Sequence, residues 1–229
     1  MDKLTAVKVG VKVLEKSFRD LTKYIKPGQT EMEVARFLKS KTIEHGAQGQ
    51  AFRFIIASGS SAAEPHHKPT NKKIEKGEMV VVDFGVKISG YCTDLSRTLY
   101  IGKPTKEYEK IYGLVLKAQE KAIKTVTSGI MAKKIDEAAR SYIIKTGYGR
   151  MFIHSTGHGV GKKIHEAPKL GPKNNRRLIK GQIVTIEPGV YIKEWGGVRI
   201  EDMVLVKKEE NIVLTKKIPK TLKQSIINV

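Results

Sequence analysis

The amino-acid sequence predicts a single α+β domain over residues 1–229, built by repeating one motif: two helices followed by an antiparallel strand pair that carries carboxylates. Three observations predict it. Apolar residues recur at helical spacing in two pairs of segments, one pair in each half of the chain. Each pair precedes a short apolar run of the kind that forms a buried strand, Met79-Val80-Val81-Val82 and then Ile183-Val184-Thr185-Ile186. Each run ends in an acidic residue, and a second acidic residue returns after a turn: Asp83 with Asp94, Glu187 with Glu201. The two halves are not visibly alike in sequence, so the duplication is read from the order of elements alone.

The first helix is predicted from about Lys3 to Ile25, with Val7, Val11, Leu14, Phe18 and Leu21 on one face and Pro27-Gly28 ending it. Thr30-Glu31-Met32-Glu33 has the form of a capping box and opens a second helix, which Gly46 terminates. Phe52 to Ala57 reads as a strand, and Ser58 to Pro69 as a loop holding His66 and His67. The next strand closes on Asp83. If it folds back about Ile88 and Ser89, Asp83 and Asp94 face each other, with Cβ atoms roughly 4.5–5.5 Å apart. Helices over about Thr105–Thr127 and Ala132–Thr146 follow, stopped by Gly129 and Gly147. A His-Gly segment spans 154–161, and a loop holds His165. The second hairpin, about Glu194-Trp195-Gly196, sets Glu187 opposite Glu201, although Pro188 and its neighbouring glycines are able to shift that register. Residues 203–206 and 212–215 read as the last strands.

The chain has 229 residues and an ordinary globular composition, 40% hydrophobic and 29% charged. No apolar run approaches the length of a membrane span. The start, Met1-Asp2-Lys3-Leu4-Thr5, lacks the features of a signal peptide. A lone cysteine, Cys92, rules out an intramolecular disulfide and fits a reducing, cytoplasmic location; it reads as a small core residue. The net charge is +20. Its basic residues are mostly lysines in clusters of no more than two, without interleaved aromatics. That pattern reads as a solvated surface rather than a nucleic-acid site, and it leaves an acidic partner open.

Like charges facing each other destabilise a sheet, and four carboxylates aimed at one core are worse unless cations sit among them. Carboxylates with the single imidazole of His158 suit Mn²⁺, Fe²⁺, Co²⁺ or Zn²⁺, and the lack of thiolates argues against a structural zinc cage. Two ions close together need bridging carboxylates, for which Asp94 and Glu201 are well placed. Such a pair lowers the pKa of a water between them and polarises a carbonyl oxygen, as amide hydrolysis requires. His158 lies in Ser155-Thr156-Gly157-His158-Gly159-Val160-Gly161, where glycines allow close backbone approach. A glycine-flanked histidine alone is usually a turn; beside four convergent carboxylates it reads as a ligand. His66, His154 and His165 would each alone be polar loop residues. Their number near the site favours substrate contact or proton transfer.

These residues resemble a known family. Pro65-His66-His67-Lys68-Pro69, Val82-Asp83-Phe84-Gly85, the run Gly90 to Thr98, Gly157-His158-Gly159-Val160-Gly161, His165-Glu166-Ala167-Pro168, Thr185-Ile186-Glu187-Pro188-Gly189 and Gly197-Val198-Arg199-Ile200-Glu201-Asp202 run in the order of the pita-bread metallopeptidases. Within them the match is to the Xaa-Pro peptidases, prolidase and aminopeptidase P. The resemblance implies the pita-bread (creatinase/aminopeptidase) fold, a pseudo-twofold antiparallel sheet covered by helices. It implies two divalent metal ions, Mn²⁺ by family habit with Co²⁺, Fe²⁺ or Zn²⁺ as alternatives. Asp83 then chelates one ion, Asp94 and Glu201 bridge both, and His158 and Glu187 complete the coordination of the second ion, Glu187 also taking the proton of the attacking water. His66, His154 and His165 correspond to pocket histidines that assist the tetrahedral intermediate. Arg199 corresponds to an arginine at the substrate site that supports the ligand Asp through a salt bridge.

The implied substrate is a peptide with proline second, and a homodimer is an open expectation. The N-terminal domain usual in Xaa-Pro peptidases is absent from these residues, which leaves peptide length limits open. Methionine aminopeptidases share the fold and ligand types. Pro-His-His, Val-Arg-Ile-Glu-Asp and the short turn between Glu187 and Glu201 favour the Xaa-Pro branch. A non-catalytic relative that binds RNA or a protein partner fits less well, since such proteins have usually lost ligands and this chain keeps all five. Metal-free C–N hydrolysis of the creatinase kind is disfavoured for the same reason.

Overall fold

The computed structural model describes residues 1–229. Helix α1 (Lys3–Tyr24) is capped by the Asp2 carboxylate, which accepts from the Thr5 amide at 3.0 Å. Helix α2 (Glu31–Glu44) opens on the expected capping box, with Thr30 and Glu33 exchanging side-chain and backbone hydrogen bonds. Then come β1 (Gly49–Gln50), β2 (Ile55–Ser58), a 3₁₀ turn (Gly59–Ala63), β3 (Met79–Phe84), β4 (Val86–Ile88), β5 (Tyr91–Cys92) and β6 (Leu95–Ile101). Helices α3 (Lys106–Thr125) and α4 (Ala132–Lys145) lead to β7 (Gly157–Gly159), β8 (Glu166–Leu170), β9 (Ile183–Ile186), β10 (Gly189–Ile192), β11 (Gly196–Arg199), β12 (Asp202–Leu205) and β13 (Ile212–Val213). A single helical turn, α5 (Leu222–Ser225), and β14 (Ile226–Ile227) close the chain. No helix is long and apolar enough to cross a membrane.

The duplication is visible in the sheets. In the first half the strands run β2-β3-β6-β14, in the second β8-β7-β9-β12-β13. Strand pairs β2/β3 and β3/β6 are antiparallel, as are β7/β9 and β9/β12. The halves meet where β6 abuts β11: the Thr98 hydroxyl donates to the Arg199 carbonyl at 2.9 Å, the Arg199 amide donates back at 3.0 Å, and the Glu201 amide donates to the Ser96 carbonyl. One core packs α1 and α2 against the first sheet through Leu14, Phe18, Leu38, Val80, Val82 and Phe84. The other packs α3 and α4 against the second through Ile111, Val115, Ile135, Val184 and Ile186, with Met79 and Val81 of β3 reaching into it. This is the pita-bread arrangement that the motifs imply.

The first hairpin departs from expectation by two residues. Ile88 pairs with Tyr91 and Lys87 with Cys92, so the turn is the dipeptide Ser89-Gly90, both at positive φ (48° and 77°). A turn about Ile88 would force a β-branched residue into that left-handed region. Asp83 therefore stands opposite Ser96, not Asp94. A shift of two keeps every side chain on its original face, so convergence survives. The second hairpin keeps the expected register: Gly189 pairs with Arg199 on one side and Ile186 with Asp202 on the other, which sets Glu187 level with Glu201. The first predicted strand begins at Ile55 rather than Phe52, and Cys92 is buried as expected against Val7, Val11 and Met203.

Candidate metal centre

Each acidic residue is delivered by a local feature of the chain. Asp83 lies in β3, between the buried Val82 and Phe84. Asp94 follows the place where the β4–β5 ladder passes into β3–β6: Gly85 lies so close to the Thr93 carbonyl that a Cβ there would sit 2.0 Å from it. Glu187 and Glu201 occupy the gap between the β9–β12 and β10–β11 ladders, where Pro188 has no amide to donate. His158 sits mid-β7, and Gly157 beside it allows approach to the Thr185 carbonyl, 1.9 Å from where a Cβ would lie.

The five side chains meet. His158 Nε2 lies 3.2 Å from Glu187 Oε1 and 3.6 Å from Asp94 Oδ2. Donor atoms of Asp94, His158 and Glu201 all lie within 4.8 Å of one another. Arg199 Nη2 donates to Asp83 Oδ2 at 2.7 Å, and Ser96 Oγ donates to Glu201 Oε2 at 2.9 Å. The opposite oxygens, Asp83 Oδ1 and Glu201 Oε1, are buried without any partner. A buried carboxylate oxygen without a donor is costly, and two in one cluster fit a site that takes a cation. The histidine fits as well. Its Nδ1 donates to the Gly159 carbonyl at 3.0 Å, which fixes the tautomer that leaves Nε2 free toward the carboxylates.

The electrostatics agree. Burial, reinforced by Glu201, pushes the Asp94 carboxyl well up, and burial with Glu187 does the same to Glu201. Burial raises Asp83 too, although Arg199 opposes it. Glu187 goes the other way: burial works against its charge, but the hydrogen bond and charge of His158 prevail and hold it at about 2. His158 is raised against its own burial by the same partner. Without cations the cluster keeps protons that a divalent ion would displace.

Above the carboxylates opens a cavity of about 950 Å³ lined by all nine side chains named from the sequence: Asp83, Asp94, His158, Glu187, Glu201, Arg199, His66, His154 and His165. His165 packs edge-on to His158 with ring centroids 4.4 Å apart. His66 and His165 are exposed in the cavity, whereas His154 is fixed. His154 Nδ1 donates to the Ser155 carbonyl at 2.8 Å, so Nε2 accepts from the Tyr191 hydroxyl at 2.9 Å. Burial lowers the pKa of His154 in keeping with that neutral form. Arg199 is fully engaged with protein: besides Asp83, its Nε donates to Ser96 Oγ at 2.8 Å and its Nη1 to the Tyr191 hydroxyl at 2.9 Å.

Sequence reasoning missed Ser96, Thr185 and Tyr191. Thr185 Oγ1 donates to Glu187 Oε1 at 3.0 Å. Tyr191 lies two residues from Gly189, which pairs with Arg199, so alternation places Tyr191 on Arg199's face of the hairpin; that was the available signal. Besides Asp202, two buried carboxylates outside the cluster also went unread. Glu31 accepts from Ser58, His67 and Thr70 and so pins the loop holding His66. Asp136 accepts from Thr156 and pairs with Arg140, whose guanidinium also donates to the Phe152 and His154 carbonyls.

A pseudo-twofold α+β fold with carboxylates and one histidine converging at its centre defines a pita-bread metallopeptidase. The chain matches the metallopeptidase family M24 over residues 5–208 and belongs to it. It is 37% identical over 219 residues to a putative Xaa-Pro aminopeptidase of Mycoplasma genitalium, covering 95% of this chain and 62% of that protein. It is 41% identical over 204 residues to an Xaa-Pro dipeptidase of Pyrococcus horikoshii, covering 89% of this chain and 58% of that protein. Among solved structures it is similar to an Xaa-Pro dipeptidase from Bacillus anthracis, with a TM-score of 0.95 and 40% identity over 98% of this chain and 62% of that one. The chain thus spans about three fifths of the length of these relatives. Family membership implies divalent metal ions.

Proposed function

We propose that residues 1–229 form one catalytic unit that hydrolyses the bond between an N-terminal residue and a following proline. The observation that carries this reading is the convergence of Asp83, Asp94, His158, Glu187 and Glu201, with two buried carboxylate oxygens lacking a partner, beneath a cavity lined by His66, His154 and His165. In this reading Asp83, Asp94, His158, Glu187 and Glu201 would hold the divalent ions. Mn²⁺ suits this oxygen-rich set. Bound there, divalent ions supply a Lewis acid for the scissile carbonyl and lower the pKa of water. Glu187, held ionised beside His158, takes a proton from the attacking water.

A proline nitrogen carries no hydrogen, so it must be protonated as it leaves. His165 and His66, exposed in the cavity, suit that transfer. Arg199 acts as a positioning residue, because its donors are spent on Asp83, Ser96 and Tyr191 rather than on substrate. The buried lone thiol of Cys92 accords with a cytoplasmic workplace.

The test is hydrolysis of Gly-Pro, Arg-Pro-Pro and Met-Ala-Ser by the Mn²⁺- or Co²⁺-loaded protein, with Asp94→Ala as control. Cleavage before proline that vanishes in the variant is the expected result, and the dipeptide-to-tripeptide ratio then names the subclass. Cleavage of Met-Ala-Ser alone moves the protein to the methionine aminopeptidases. Metal uptake without cleavage of any of the three overturns the reading of these residues as a self-sufficient peptidase.

A further inference from the structure

Resting on the peptidase reading, we infer that the cationic rim of the cavity selects peptides with acidic side chains downstream of the proline. Four basic side chains line the cavity: Arg53 after β1, Lys68 beside the His66 loop, Lys169 in β8 and Arg176 in the loop that follows. All four are exposed. None forms an ion pair, and none of their side-chain nitrogens has a hydrogen-bond partner within the protein. That sets them apart from Lys72, Lys134 and Lys220, each of which meets a carboxylate at 2.8 Å or closer. The rim's one acidic residue, Glu166, is engaged by the Lys163 amide at 3.1 Å.

Charge elsewhere reinforces the rim. Five acidic residues are buried (Glu31, Asp94, Asp136, Glu201 and Asp202) but only two basic ones, Arg97 and Arg199, so the surface is more basic than the sequence as a whole. A cleft lined by one sign of charge focuses the field and raises the local concentration of oppositely charged ligand. Orientation follows from the chemistry. Only one residue precedes the scissile bond, and that bond lies at the carboxylate floor, so a longer peptide extends across the cavity on the far side of the proline. Everything that projects toward the rim is therefore downstream of the proline.

The test uses C-terminally amidated peptides, so that a terminal carboxylate plays no part: Ala-Pro-Glu-Glu-Ala-NH₂, Ala-Pro-Gln-Gln-Ala-NH₂ and Ala-Pro-Lys-Lys-Ala-NH₂ with Mn²⁺-loaded protein. The expected kcat/KM is about tenfold higher for the Glu than for the Lys peptide, the low end of steering effects, and the ratio shrinks as salt rises. A second readout is binding of the fluorescently labelled, uncleavable products Pro-Glu-Glu-Ala-NH₂ and Pro-Lys-Lys-Ala-NH₂, measured by anisotropy. Reversing Arg53, Lys68, Lys169 and Arg176 to Glu should invert both ratios. Reversing Lys103, Lys145, Lys208 and Lys223, exposed residues outside the cavity, changes net charge equally and should leave the inversion unmade. Equal handling of the Glu and Lys peptides, or an equal effect of the two quadruple variants, overturns the inference. Loss of all cleavage with the binding preference intact removes the peptidase reading and keeps the rim.

Discussion

The two halves of the molecule reach one centre by different registers. In the first, Asp83 pairs with Ser96, and Asp94 lies two residues earlier on the returning chain. In the second, Glu187 and Glu201 stand level. What the repeat preserves is the face on which the carboxylates lie, not their opposition, because a two-residue offset leaves side-chain direction unchanged. The halves are also braced across the interface in opposite senses. Arg199 of the second half holds Asp83 of the first, and Ser96 of the first holds Glu201 of the second. Each half then adds a buried carboxylate from its second helix: Glu31 pins the His66 loop and Asp136 pins the segment that carries His154.

The comparison breaks most sharply at the centre. If both halves contribute ligands to one site, Asp94→Ala and Glu201→Ala should each lower kcat/KM by at least the roughly 10²–10³-fold that follows loss of one electrostatic stabiliser. Both should also reduce bound metal measured by atomic absorption. A variant from only one half losing metal would show that the duplication is structural and the site one-sided.

The two buried clamps come next. Asp136→Asn leaves Arg140, its side chain 21% exposed, without its counter-charge, and should destabilise by about 3 kcal/mol. Glu31→Gln keeps an acceptor for Ser58 or for Thr70 but sets an amide donor among donors, and should cost about 2 kcal/mol. Urea denaturation measures both. Equal losses would mean that the Arg140 pair adds nothing beyond hydrogen bonding.

The convergence of these side chains could be read from the sequence because each follows a local cue: an apolar run ending in an acid, a glycine-flanked histidine, a turn. So could the second register, which the turn Lys193-Glu194-Trp195 between paired Ile192 and Gly196 fixes, with Glu194 at φ 66°. The first register was misplaced because only the φ angles of Ser89 and Gly90 decide it. The bracing was legible only in part: the resemblance implied the Arg199 salt bridge to the acidic cluster, but nothing marked Ser96 or the burial of Asp202. Arg199 lies 116 residues from Asp83, Ser96 lies 105 from Glu201, and Asp202 is buried under Arg97, Lys220, Thr215 and Gln119 from three separate segments. Nothing local marks such partners; they become neighbours only when the two half-sheets join. The parallel pairing of β14 with β6 escaped for the same reason.

A smaller effect is the pH dependence that both halves contribute to. Asp94 and Glu201 are raised by burial, so relative to the unfolded chain they favour the metal-free fold at low pH. That contribution is lost as pH rises through their folded pKa values. The raised pKa of His158 acts in the same direction. Glu187, at about 2, favours the fold above its ordinary range and loses that contribution only as pH falls toward 2. Metal-free protein should therefore melt lower at about pH 8 than at about pH 5, and Asp94→Asn should flatten the slope. Saturating Mn²⁺ should abolish it. A metal-free melting temperature that rises over that interval would contradict the raised pKa values of Asp94 and Glu201.

The smallest effect is the most specific to the cross-bracing. Ser96→Ala removes one hydroxyl that donates to Glu201 Oε2 and accepts from Arg199 Nε. The net loss in stability should be about 1 kcal/mol, since one hydrogen bond is lost at each neighbour and the cavity left is small. Its effect on function should be larger than its effect on folding. Glu201 would lose the donor that orients it, and Arg199 would keep Asp83 but lose a fixed point. Outer contacts of this kind are worth roughly 10–100-fold in metal affinity or activity. Mn²⁺ titration by calorimetry on Ser96→Ala and on Ser96→Thr separates the two. The threonine variant retains the hydroxyl and should recover affinity even where its extra methyl lowers the melting temperature. Affinity tracking stability across both variants would make Ser96 a packing residue and reduce the bracing between halves to Arg199 alone.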